Sequence, residues 1–188
     1  MRLFFAAEPG AAARAAFAAC LSRLQAPDAD VKWNEAPHLT LAFLGEQPEA
    51  RLPAAKAAAG RTAASARPFD ATLSAPGVFR DRGRPRVLWL GVSAPALPEL
   101  ARSLRAELAR DGFAPETQPF SPHLTAGRVR TARGLPETLA ELERLAGDAR
   151  APWRDVPFPV REFSLFESRL GPDGASHAEL ARFPLGAA

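Results

Sequence analysis

The 188-residue chain has one cysteine, one methionine, no tyrosine and three histidines. With Cys20 alone, an internal disulfide and a multi-cysteine zinc site are both excluded. Cys20 shares a predicted helix with Phe17, Leu21 and Leu24, which gives it the part of a small buried apolar side chain. Long hydrophobic runs are missing too. The N-terminal MRLFFAAEPGAAARAAFAAC superficially resembles a secretion signal, but Glu8-Pro9 and Arg14 interrupt it, and nothing later is long enough to span a bilayer. A soluble cytoplasmic protein without membrane association is expected. Lysine is scarce: 2 Lys stand against 22 Arg, at a net charge of only +3. Planar guanidinium forks suit a phosphate-bearing partner, although base composition produces the same excess in a chain so rich in alanine and proline.

What is present suits a folded domain. The composition is 47% hydrophobic and 24% charged, with no single-charge run or low-complexity tail, so residues 1–188 read as one domain built of two lobes. Strands are predicted at Arg2 to Ala7 and at Leu39 to Leu44, the latter closed by Gly45, with a short extended piece at Asp30 to Trp33. Phe69 to Ser74 alternates as a strand, Gly77 to Pro85 reads as a basic loop, and Arg86 to Val92 is a strong strand. Helices are predicted over 11–25, 49–66 and 96–110, and again where Leu135, Leu139, Leu142 and Leu145 recur at helical spacing. Phe158 to Phe166 reads as one strand, entered through a proline-rich lead-in or sheet edge at Asp155 to Pro159. A turn at 170–174 returns the chain through Ser176 to Phe183.

Two of the three histidines sit in one repeated tetrapeptide, PHLT, at Pro37-His38-Leu39-Thr40 and Pro122-His123-Leu124-Thr125. The repeat extends backwards. Each PHLT follows a strand and a helix, with 36 residues from Arg2 to His38 and 37 from Arg86 to His123, so segments 2–45 and 86–130 read as copies of one unit. Two lobes facing each other across a cleft would each contribute one motif.

In a strand, His and Thr two residues apart share a face and lie about 6.6 Å apart, within reach of one small anion, while the leucines point into the lobe. Two imidazoles around one phosphate form an acid–base pair, one neutral and one protonated near pH 6.5. Opening a cyclic phosphodiester needs that pair: a base to activate water and an acid for the departing sugar oxygen. Threonine hydroxyls and arginines would hold the other phosphate oxygens. No metal is required, and two His-x-Thr units without a third ligand coordinate zinc poorly. A repeated structural strand with satisfied core histidines is the alternative without chemistry.

On these motifs the chain resembles the two-histidine (2H) phosphoesterase superfamily, and within it the RNA 2',3'-cyclic phosphodiesterases historically called 2'-5' RNA ligases. The matching stretches are RLFFAA at 2–7, HLTLAFLG at 38–45, GRPRVLWLGV at 83–92, QPFSPHLTAGR at 118–128 and FSLFESRLGPDG at 163–174. The resemblance implies a bilobal α+β fold, two pseudo-symmetric lobes whose antiparallel sheets line a central cleft with helices outside. It implies hydrolysis of a terminal 2',3'-cyclic phosphate on RNA to a 2'-phosphate, with His38 as proton donor, His123 as proton acceptor, and Thr40 and Thr125 on the phosphate. ATP-independent 2'-5' ligation would be the reverse reaction. No cofactor and no partner subunit are implied, so a monomer is expected.

Arg128 is expected to share the histidine's strand face or lie at its end, as a phosphate-binding arginine. Arg80, Arg82 and Arg84 are candidates to meet an RNA backbone, and Phe43, Phe79 and Trp33 to stack a base. Ala126-Gly127 stands where relatives carry bulkier aliphatic residues, which implies looser packing behind His123. His177 stands where an aromatic residue is common and reads as structural. Two other functions fit the same residues: a non-catalytic binder of cyclic-phosphate RNA ends or nucleotides, and a phosphodiesterase acting on small cyclic nucleotides.

Overall fold

The computed structural model describes residues 1–116, 118–171 and 174–186. Short apolar runs bounded by Pro and Gly form strands β1 (Arg2–Ala7), β2 (Val31–Trp33), β3 (Leu39–Glu46), β4 (Phe69–Asp81), β5 (Arg84–Ser93), β6 (His123–Val129), β7 (Pro157–Val160), β8 (Glu162–Gly171) and β9 (Gly174–Pro184). Segments with apolar residues every three or four positions form helices α1 (Ala11–Leu24), α2 (Leu52–Ser65), α3 (Ala96–Arg110) and α4 (Leu135–Gly147). The described strands make one antiparallel sheet in the order β7-β4-β5-β6-β3-β1-β8-β9, with β2 added to β6. The sheets expected for two lobes are thus continuous. At their junction β3 and β6 meet at the single pair Leu39–Leu124, and β2 continues the pairing with β6 from Val31 to Trp33.

The helices cross over. α1 follows β1 but packs against β7 and α4 on the other half, while α3 follows β5 and packs against β3 beside α2. Leu97, Leu104 and Leu108 of α3 and Leu3, Phe5, Leu39, Leu41, Leu88 and Leu124 of the sheet are all fully buried in the resulting core. The opposite face of the sheet holds a separate small cluster of Phe4, Ala6 and Phe166, with Phe43 packed on it. Arg161 alone separates β7, paired with β4, from β8, paired with β1, so the sheet must curl until its two halves approach. The result is a curled half-barrel with helices on the outside.

Beyond small shifts at element ends, three stretches depart from the sequence expectation. The basic loop at 77–85 is the end of a β4–β5 hairpin whose two-residue turn places both Arg82 (φ 48°) and Gly83 (φ 78°) in the left-handed region between paired Asp81 and Arg84. Such a primed turn follows the right-handed strand twist and lets pairing run to the tip. Gly45 does not close β3; it lies inside the strand, with φ 65°, at a register shift against β1. The stretch 158–166 is two strands rather than one, because the chain changes halves at Arg161. The proline-rich 157–159 does lie in an edge strand, as proline's missing N–H requires. Positions 172 and 173 of the expected turn at 170–174 lie outside the described residues.

Candidate active site

At the junction, antiparallel pairing of Leu39 with Leu124 sets His38 opposite Thr125 and Thr40 opposite His123. Both leucines are fully buried, so the four flanking side chains point to the concave face, where all four are half-buried. Diagonal neighbours across such a pair lie roughly 7–8 Å apart, which leaves room for one phosphorus between the two imidazoles.

A register shift then repeats in both strands. Phe5 pairs with Ala42 but Ala6 with Thr40, leaving Leu41 as an extra residue; Leu88 pairs with Gly127 but Trp89 with Thr125, leaving Ala126 extra. Each shift reverses the alternation, so the residue three beyond each threonine returns to the histidine face. Those residues are Phe43 and Arg128. They line one cleft of about 470 Å³ with Arg2 and Glu116. Simple alternation would have turned Arg128 away from His123; the bulge at Ala126 brings it round.

Hydrogen bonds orient the rings. His123 Nδ1 lies 2.7 Å from the Ser121 carbonyl, which can only accept, so Nδ1 carries the proton and Nε2 keeps a free lone pair. His38 is likewise bonded to the backbone of Ala36, two residues back. Burial pushes His38 down to about 4, aided by the positive charges of His177, Arg128 and His123 and opposed by the Ala36 bond. Burial and Arg128 lower His123 as well, against its bond to Ser121. Aromatic rings back both histidines: Phe4 lies 5.1 Å from His38, Phe79 lies 4.8 Å edge-on from His123, and Trp89 packs beside Phe79 at 5.2 Å.

Other expected contacts stand further off. Arg82 and Arg84 are exposed at the hairpin tip, and Arg80 donates to the Gly83 carbonyl at 3.3 Å. Trp33 packs on Gly127, where an added Cβ would come 2.9 Å from its ring and 2.6 Å from Val31 Cγ1. That corrects the expectation of loose packing behind His123: Val31 and Trp33 of β2 occupy the space a larger side chain would take.

Two residues of the site escaped sequence reading. Asn34 Nδ2 donates to the Thr125 carbonyl at 2.9 Å, its Oδ1 accepts from Ala36 N at 3.3 Å, and its own N–H reaches the Ala126 carbonyl at 2.9 Å. It ties the approach to His38 onto the strand of His123. Its only sequence signal is an amide four residues before the first motif histidine. His177, read as structural, stands edge-on to His38 with ring centroids 5.0 Å apart. Among the described residues no group of three or more His, Cys, Asp or Glu is placed to hold a metal ion, and no helix is long and apolar enough to cross a membrane.

The family model of the 2'-5' RNA ligase superfamily matches residues 6–172. The chain belongs to that superfamily. It is 35% identical over 169 residues to the RNA 2',3'-cyclic phosphodiesterase of Methanothermobacter thermautotrophicus, covering 86% of each chain. To the Escherichia coli protein of the same name it is 41% identical over 151 residues, 79% of this chain and 75% of that one. The fold of this superfamily member superposes on TT0787 of Thermus thermophilus with a TM-score of 0.82 at 31% identity, over 99% of this chain and 98% of that one. With E. coli LigT, solved in complex with 3'-AMP, the TM-score is 0.75 at 29% identity over the same shares.

Proposed function

We propose that this chain hydrolyses terminal 2',3'-cyclic phosphates on RNA to 2'-phosphates by two-histidine acid–base catalysis. One observation carries the reading: the Leu39–Leu124 pair brings both His-x-Thr motifs onto one concave face, with Arg128 turned to the same side. The cyclic phosphate would sit between the imidazoles, its non-bridging oxygens on the Thr40 and Thr125 hydroxyls and the Arg128 guanidinium. His123 Nε2 takes a proton from water as the water oxygen bonds to phosphorus. The P–O3' bond breaks, and His38 gives its proton to O3', leaving a 2'-phosphate and a free 3'-hydroxyl. An RNA hydroxyl in place of water would run the ligation direction.

His38, held at about 4 by burial, is neutral at pH 7. A phosphodiester anion seated against it opposes the effects of burial and neighbouring cations and raises its proton affinity. Substrate would therefore arm its own proton donor.

The same reading takes segments 2–45 and 86–130 as copies of one repeat. The shared offset from histidine to threonine to bulge to the returning residue supports it. It also takes the enzyme as cytoplasmic, and as a monomer since both motifs come from one chain. The test is an oligonucleotide ending in 2',3'-cyclic phosphate, incubated with the protein and EDTA. Release of a 2'-phosphate end is expected; binding without turnover would make the protein a binding module instead. A rate on nucleoside 2',3'-cyclic phosphates above that on the oligonucleotide would move the substrate to small cyclic nucleotides.

A further inference from the structure

The third histidine belongs to the site. His177 lies on β9 opposite Ser168 of β8, which in turn pairs with Arg2 of β1. Its ring reaches back over the sheet to Phe4, 4.9 Å away and nearly perpendicular, and to His38 at 5.0 Å and 82°. Phe4 also touches His38 at 5.1 Å, so the three rings are in mutual contact. They share a pocket of about 270 Å³ whose floor includes Phe166. We propose that His177 is a positioning residue for the proton donor: with Phe4 it fixes the His38 ring, and its own charge opposes charge on His38.

Among the described residues, His177 shares that side of the site with Arg2, a second cation across Ser168 from it, and with ion-paired carboxylates. Glu8 and Arg14 line the same pocket but lie 3.4 Å from each other, so their charges offset. On β8, Glu167 and Arg169 pair at 2.8 Å, and Ser168 opposite His177 is neutral. Arg128 and His123 act on His38 from the β6 side and do so whether or not His177 is charged. Like charges on two rings in contact disfavour each other, an effect that water at the exposed His177 screens in part and the apolar floor of Phe4 and Phe166 does not. An aromatic hydrocarbon at position 177 would keep the edge-on contact without the charge. His177 thus makes the site of this chain sensitive to acid in a way that a phenylalanine there would not.

The inference rests on His38 being the proton donor, and its test reads His38 directly, with or without turnover. The imidazole resonances of the full chain are titrated in the wild type and in His177→Phe, His177→Gln and His177→Lys. The His38 midpoint should rise by about half a unit to one unit in the Phe and Gln variants and fall in the Lys variant. The limb of the kcat/KM profile that His38 sets on the cyclic-phosphate oligonucleotide should move in the same directions. An unchanged His38 midpoint in all three variants would overturn the proposal, whatever their activity. Failure of the wild type to hydrolyse any cyclic phosphate would remove the proposed function while leaving the titration result standing.

Discussion

His38 links stability to the proposed chemistry. Its affinity for protons is lowered by folding, from 6.5 to about 4. The unfolded chain therefore binds the proton more tightly, so this contribution to stability is complete above about pH 6.5 and is lost as pH falls towards 4. The loss amounts to at most about 3 kcal/mol. Urea midpoints at pH 7 and pH 5 should separate clearly in the wild type and much less in His38→Asn; equal separation would place the acid sensitivity elsewhere. Arg128 carries a different load. It is exposed and sits on the histidine face only through the bulge at Ala126. Arg128→Ala should cut kcat/KM roughly 10- to 100-fold, as expected for one lost charge-assisted contact, with Arg128→Lys in between. The four motif residues stood out in the sequence because one tetrapeptide holds two of the three histidines, and the Leu39–Leu124 pair brings them onto one face. His177 did not, because its contact with His38 depends on how β8 and β9 pair with β1.

At the scale of elements, alternation and helical spacing located the strands and helices, since burial on one face leaves that periodic trace. Bulges leave none. The extra residues Leu41 and Ala126 look like any other strand position, yet they decide that Phe43 and Arg128 face the site. The β4–β5 hairpin read as a loop because its arginines and glycines are typical loop residues, whereas ladder bonding to the tip is a property of the pair. Asn34 acts at this scale too, joining the approach to β3 with β6 where β3 and β6 share a single residue pair. Asn34→Ala should lower kcat about 10- to 100-fold by letting the two motifs drift, while shifting Tm by only a few degrees. A large fall in Tm with unchanged kcat would make Asn34 a stability residue alone.

Across the whole molecule, the crossed helices bind the halves of the sheet into one core, and the site occupies the other face. Cys20 reports on that core. It is 1% exposed, and burial with the nearby negative charge of Glu141 pushes its thiol up to about 12. A thiol reagent should therefore leave the native protein unmodified and label Cys20 only as denaturant unfolds the chain. Fast labelling without denaturant would mean that α1 opens locally. The central claim is that one site is divided between the two halves, with an acid from one and a base from the other. Its most direct test compares the wild type with His38→Ala and His123→Ala on one cyclic-phosphate oligonucleotide, with EDTA present and folding checked by circular dichroism. The wild type should release the 2'-phosphate end, and each variant should lose on the order of 10²–10⁴-fold in rate while remaining folded. Near-normal turnover by either folded variant would contradict the account.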